Sequence, residues 1–260
     1  MTVYTQHGHD LRLDWGGDGV RALGEDCAVL VIIDVLVFTT SVDIVLGRGG
    51  RVLPLPWRDE RGQRLAREAG ATLVPSGLTG LDGARLSADR SAGWSLRPSS
   101  LVTVPEGTFL GIASPNGATL CAAAASTGAT VLAGCLRNAT AVGAAAHTLA
   151  AGRPVGVVAA GERWRDTEPP RLRPSLEDWL GAAAVAAAIP ARTPSPEAEL
   201  AALSYRSAGD RVAELVTGSV SGRELAEAGL PGDVSLAAAV DSSDVVPLLN
   251  GEGILERWPG

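Results

Sequence analysis

The sequence predicts an α/β fold, three layers (α/β/α) around a largely parallel or mixed central sheet with a helical C-terminal part, and three observations carry that expectation. Apolar runs such as Val29–Leu36 and Val155–Ala159 are continuous rather than alternating, the pattern of strands buried on both faces. Segments of helical character alternate with these runs along most of the chain. The 260 residues suffice for a large core, and no internal repeat or long linker divides them. A single domain over 1–260 is therefore expected, with 191–230 as a helical insertion or cap.

Local signals place each element. Residues 2–19 are polar and read as a small hairpin or edge strands. Val29–Leu36 is a strand, and Thr40–Leu46 a helix for which Thr39, Thr40 and Ser41 offer capping hydroxyls. Arg51–Leu55 is a strand closed by Pro56, and Arg58–Glu68 a helix with Gly70 just past its end. Ala71–Val74 is a short strand, and 75–98, rich in Gly, Ser and Leu without period, a loop excursion. Phe109–Ala113 is a strand that breaks at Ser114-Pro-Asn-Gly117 and leads into a helix over 118–126. Val131–Ala133 and Val155–Ala159 are strands flanking a helix over 138–150. Ser175 caps a helix that runs to Ala188, with Asp178 in the capping-box position. Residues 195–217 are helical, Ser221-Gly-Arg-Glu224 is a capping box for a further short helix, and Asp244–Leu249 returns as a strand.

Bulk composition narrows the function. Net charge is −7 with pI near 5.0, and no basic cluster is present, which argues against nucleic acid as a partner. All 22 basic residues are Arg. The lack of Lys removes Schiff-base chemistry and a P-loop lysine, and leaves Arg as the strong side-chain anion binder. Cys27, Cys121 and Cys135 are widely spaced and odd in number, so no disulfide framework is expected. The first residues lack a basic segment followed by an apolar run, and no apolar run reaches membrane-spanning length. A soluble, cytoplasmic protein without a membrane partner is the expectation; a homo-oligomer is left open.

Three strand-to-helix junctions carry polar residues that their neighbours do not explain. Asp34 ends an apolar run and faces a helix start, the place where α/β sheets bind ligands. Ser114-Pro-Asn116-Gly117 opens an Ala-rich helix whose amides form an anion seat. Glu162-Arg163 follows a buried strand and suits a metal ligand beside an anion clamp. Simpler readings stand beside each: a helix cap, a plain turn and a surface ion pair. Taken together, two carboxylates and an anion-binding helix end suit an Mg²⁺-assisted phosphoryl site, with Asp34 and Glu162 on the metal. Arg137-Asn138, and Arg173 with Glu177 and Asp178, are further candidates. Other schemes lack their parts. There is no G-x-S-x-G elbow, the histidines are His7, His9 and His147, and Cys135 lacks the surrounding donors of a phosphocysteine site.

These residues resemble the 2-phosphosulfolactate phosphatase family, Mg²⁺-dependent phosphatases associated with coenzyme M biosynthesis. The resemblance rests on Asp34-Val-Leu-Val-Phe-Thr-Thr-Ser, Ser114-Pro-Asn-Gly-Ala-Thr119, Gly134-Cys-Leu-Arg-Asn138, Ala160-Gly-Glu-Arg-Trp164 and Arg173-Pro-Ser-Leu-Glu-Asp178. It runs in order over roughly 28–185 and thins to Ser221–Leu225 and Asp241–Pro247. It implies a three-layer α/β fold, Mg²⁺, and hydrolysis of the phosphate ester of a small 2-hydroxy acid. Asp34, Glu162 and Arg163 would then be catalytic, with Asp34 either nucleophile or metal ligand. Thr39, Thr40, Ser114, Asn116, Gly117, Arg137, Asn138 and Arg173 would bind substrate, a small anionic phosphate ester. Many members carry Arg where this chain has Val37, and Arg165, Arg171 and Arg173 are the candidates to replace it. Leu36 stands where haloacid-dehalogenase phosphatases place a second Asp. The competing expectation is a non-catalytic anion-binding relative.

Overall fold

The computed structural model describes residues 2–74, 93–164, 166 and 168–260; most of the loop expected at 75–98, and Arg165, lie outside the described residues. β1 (Leu11–Trp15) runs straight into α1 (Gly16–Leu23), and β2 (Val29–Ile33) is followed by α2 (Phe38–Gly47). Next come β3 (Arg51–Leu55), α3 (Glu60–Ala69), β4 (Thr72–Val74), α4 (Pro98–Leu101), β5 (Phe109–Ala113) and α5 (Gly117–Ala125). β6 (Thr130–Gly134), α6 (Ala139–Ala150) and β7 (Val155–Ala159) precede a small pair, β8 (Glu162–Arg163) with β9 (Leu172–Arg173). The rest is α7 (Leu176–Ala188), α8 (Pro196–Ala208), α9 (Val212–Gly218), α10 (Val220–Glu227), α11 (Pro231–Ala237), β10 (Pro247–Leu249) and β11 (Leu255–Arg257).

Among the described residues nine strands form one sheet, ordered β1-β7-β2-β6-β10-β11-β3-β5-β4. β1, β7, β2 and β6 are mutually parallel, as are β3, β5 and β4. The antiparallel β10–β11 hairpin joins the two blocks, touching β6 through Leu248 and Leu132, and β3 through Leu255 and Val52. The sheet is therefore mixed. Every residue of β2 is buried, the consequence of a strand with neighbours on both sides and helices on both faces. α1 and α5 pack together against one set of strands, and α6 and α7 together against another that shares β2, giving three layers. α8 to α11 follow on the outside, with α8 against α7 and β1, and α10 against α7.

Several elements differ from expectation for identifiable reasons. The helix α1 stands where a hairpin was expected, because glycines at 16 and 19 occupy two of its four buried positions and hide the apolar period. β2 stops at Ile33, so Asp34 lies just past the strand and α2 starts at Phe38. Thr39 and Thr40 then fall inside the helix and not at its cap. Ser219 caps α10 through the Gly222 amide, and Ser221 sits within that helix. Ser175 precedes α7 without accepting a capping bond; its hydroxyl donates to Asp178.

The hairpin depends on few pairings, so its buried side chains should carry weight. Leu255 is fully buried between β10 and β3. Leu255→Ala is expected to cost about 2–5 kcal/mol of stability, measured by urea denaturation; a loss below half a kcal/mol would show that the hairpin does not hold the blocks together.

Candidate active site

β2 and β7 are neighbours, with Ile33 opposite Ala159, so the turns that follow them leave the sheet side by side. The first turn carries Asp34, 4 % exposed, whose carboxylate lies under the starts of two helices. The Phe38 amide donates to Oδ1 at 3.3 Å, the Gly117 amide to Oδ2 at 2.7 Å, and Ser114 Oγ to Oδ2 at 3.3 Å. Amides at helix N-termini complement a carboxylate. Even so, burial pushes the Asp34 carboxyl above its ordinary range, and the nearby Glu177 charge adds to the shift. Position 117 must be glycine: a Cβ there would fall 2.4 Å from Phe38 Cδ1 and 2.7 Å from Asp34 Oδ2.

The second turn carries Gly161 and Glu162. Gly161 adopts φ +67°, and its amide donates to Asp178 Oδ2 at 2.8 Å. Glu162 is half-buried, and Asn116 Nδ2 donates to its Oε2 at 3.2 Å. Burial, then the Asp34 and Glu177 charges, push the Glu162 carboxyl up to about 7; Arg173 pulls it the other way. Arg173 lies opposite Glu162 across β8 and β9, donates through Nη2 to Ser221 Oγ at 3.0 Å, and sits 5.9 Å from the Trp164 ring centre.

Two more acids arrive on the first turn of α7. Asp178 accepts from the Val35 amide at 2.7 Å, the Gly161 amide and Ser175 Oγ, and so ties together the turns after β2 and β7. Burial first, then the Asp34 and Glu177 charges, hold its carboxyl well above the usual range. Glu177 is 1 % exposed, and its Oε2 has no hydrogen-bond partner among the described residues. Beside these acids opens a cleft of about 310 Å³, walled by Trp15, Gly16, Asn116, Glu162, Arg163 and Leu172 among others. Among the described residues no three His, Cys, Asp or Glu side chains form a ready metal-ligating group.

The expected site residues divide into two sets. Asp34, Ser114, Asn116, Gly117, Glu162 and Arg173 come together at this place, and exposed Arg163 stands in the cleft wall. Ser114 and Gly117, expected to seat a substrate anion, instead direct their hydrogens at Asp34. Thr39 and Thr40 are buried and donate to the Asp34 and Val35 carbonyls, which shapes the turn. Arg137 is drawn to Asp43, 2.7 Å away, and to the Leu236 carbonyl. Asn138 is fully buried, accepts from the Cys135 amide and donates to the Val245 carbonyl. Both therefore tie the C-terminal segment to this junction. Sequence reasoning missed the junction of β1 and α1, where Gly16 and Gly17 line the cleft wall; Gly-Gly after the short alternating run Leu11–Trp15 was the available signal.

Two outcomes follow from this geometry. Gly117→Ala is expected to cost about 1–3 kcal/mol, read as a lower denaturation midpoint, because the new methyl group must displace Phe38 or Asp34. The cysteines are all buried, and burial pushes Cys135 and Cys121 up to about 12 and Cys27 to about 11. Iodoacetamide at neutral pH should therefore label the unfolded chain but not the native one, as mass spectrometry would report. Rapid labelling of native Cys135 would reopen a thiolate route.

A family model described as 2-phosphosulpholactate phosphatase matches residues 96–252, more than half of the chain. That span holds Asn116, Gly117, Glu162, Arg173, Glu177 and Asp178, while Asp34 precedes it. No curated protein matches the chain significantly. On the basis of that match the chain belongs to the 2-phosphosulpholactate phosphatase family and is a hydrolase of phosphate monoesters.

Proposed function

We propose that the protein removes phosphate from the phosphate ester of a small 2-hydroxy acid, with 2-phosphosulfolactate as the leading substrate, and that it uses Mg²⁺. The observation that carries this reading is the polar cleft wall of Asn116, Glu162 and Arg163 beside buried carboxylates, in a chain of this family. The donor chemistry fits Mg²⁺, which takes hard oxygen ligands and keeps waters. Glu162 can offer an oxygen to the cation from the cleft wall, and Asp34 lends its charge from beneath. When bound, the cation would neutralise phosphate oxygens and polarise the phosphoryl group. The remaining roles belong to the protein. Arg163 stands in the cleft wall to meet phosphate. Asn116 orients Glu162 through its amide. Arg173, beside Glu162, is the cation available to read the acid group of the substrate. Asp34 is buried and already accepts three hydrogen bonds, which supports an organising charge over a nucleophile.

Hydrolysis of 2-phosphosulfolactate, followed by phosphate release, should fall to background in chelator and return with added Mg²⁺. Equal turnover in chelator would remove the metal from this reading. Arg173→Gln should raise KM about tenfold for 2-phospho acids while leaving a simple aryl phosphate nearly unchanged, a difference of about 1.4 kcal/mol. Proportional effects on both substrates would show that Arg173 does not read the acid group.

A further inference from the structure

The four acids of this site differ sharply in how far their oxygens are already engaged. Asp34 accepts from two amides and a hydroxyl, and Asp178 does the same. A carboxylate offers about four acceptor positions, so these two are nearly satisfied. Glu162 accepts one bond among the described residues, from Asn116 to its Oε2. Glu177 Oε2 accepts none, although the side chain is 1 % exposed. A buried carboxylate oxygen without a partner is costly and rare enough to need an explanation. The N-terminal turn of α7 favours an acid there, but a dipole does not supply the missing hydrogen bond. Nor is the position an accident of a loose segment. Asp178, the next residue, is pinned to the Val35 and Gly161 amides and so fixes Glu177 where Asp34, Glu162 and Asp178 all feel its charge.

We propose that Glu177 and Glu162 together are the protein's carboxylate ligands to a divalent cation, with Asp34 and Asp178 holding the backbone that presents them. This rests on the Mg²⁺ reading above and changes its ligand set, adding a residue outside the Asp34–Glu162 pair. Mg²⁺ commonly uses one or two carboxylates, filling its other positions with water and substrate phosphate. The cation would cancel the repulsion that the unengaged acids now exert on one another.

The test measures Mn²⁺ binding to the full-length chain by electron paramagnetic resonance, with competition by Mg²⁺, alongside melting in chelator. Glu177→Gln is expected to weaken Mn²⁺ binding by about 100-fold, the upper range for disturbing a metal's surroundings. In chelator the same variant should melt about 2–4 °C above the wild type, since an unpaired buried charge is gone. Glu177→Asp, which keeps the charge, should retain more affinity than Glu177→Gln. Unchanged Mn²⁺ affinity in Glu177→Gln overturns the assignment of Glu177 and leaves the phosphatase reading intact. Melting of Glu177→Gln below the wild type in chelator also overturns it, because a structural role would then account for any loss of binding. Failure of the wild type to bind Mn²⁺ or Mg²⁺ at all removes the cation from both readings.

Discussion

The bond from the Gly117 amide to Asp34 is the contact on which this architecture turns. Asp34 ends a strand of one parallel block, and Gly117 starts the helix that leaves a strand of the other. The 2.7 Å bond therefore joins the two blocks on the site side, while the β10–β11 hairpin joins them within the sheet. An apolar residue at 34 would leave two helix starts and a serine hydroxyl without their shared acceptor. The bare backbone at 117 is the matching requirement, because any side chain would occupy the space of the carboxylate itself.

Asp178 repeats the device on the neighbouring strand pair. Its two oxygens gather the amides that follow β2 and β7, so the turns bearing Asp34 and Glu162 are held in register by a third carboxylate. Both aspartates are placed against burial, which raises their pKa, and both are compensated by backbone donors. Glu162 lies in the same field with less compensation, and Glu177 Oε2 has no hydrogen-bond partner among the described residues. The contrast separates charge that builds the site from charge left available to act in it. A fold that keeps uncompensated acids in its interior gives up stability there, as functional sites commonly do.

Much of the fold was legible because its strongest signals are local. The continuous apolar runs of β2 and β7 mark strands buried on both faces, and adjacency of those strands brings Asp34 and Glu162 together. The helix α1 was not legible, since its buried face is half glycine. The partners of the other junction residues were less legible. Thr39, Thr40, Asn138 and Arg137 are polar residues at strand-to-helix junctions, and position alone does not tell whether a side chain points to the cleft or back into the turn. Asn138 and Arg137 reach partners about a hundred residues away, at Val245 and Leu236, and no local pattern announces such contacts. Glu177 and Asp178 looked like ordinary acids of a helix start. Only the tertiary ties of Asp178 to Val35 and Gly161 separate it from its unpartnered neighbour.

Net charge is −7 and the site is crowded with acids, so for the proposed anionic substrate the distribution of charge matters more than the total. The Asp34, Glu177 and Asp178 carboxylates are buried, whereas Arg163 is exposed in the cleft wall and Arg173 is half-buried opposite Glu162. A cation in the site would meet carboxylate from one side and phosphate from the other, so each would lower the cost of the other. Val37 is buried and does not line the cleft, so the arginine that many relatives carry at this position has no direct substitute there. On the proposed reading, a second anionic group of the substrate would be met from the β8–β9 pair, where Arg173 lies opposite Glu162.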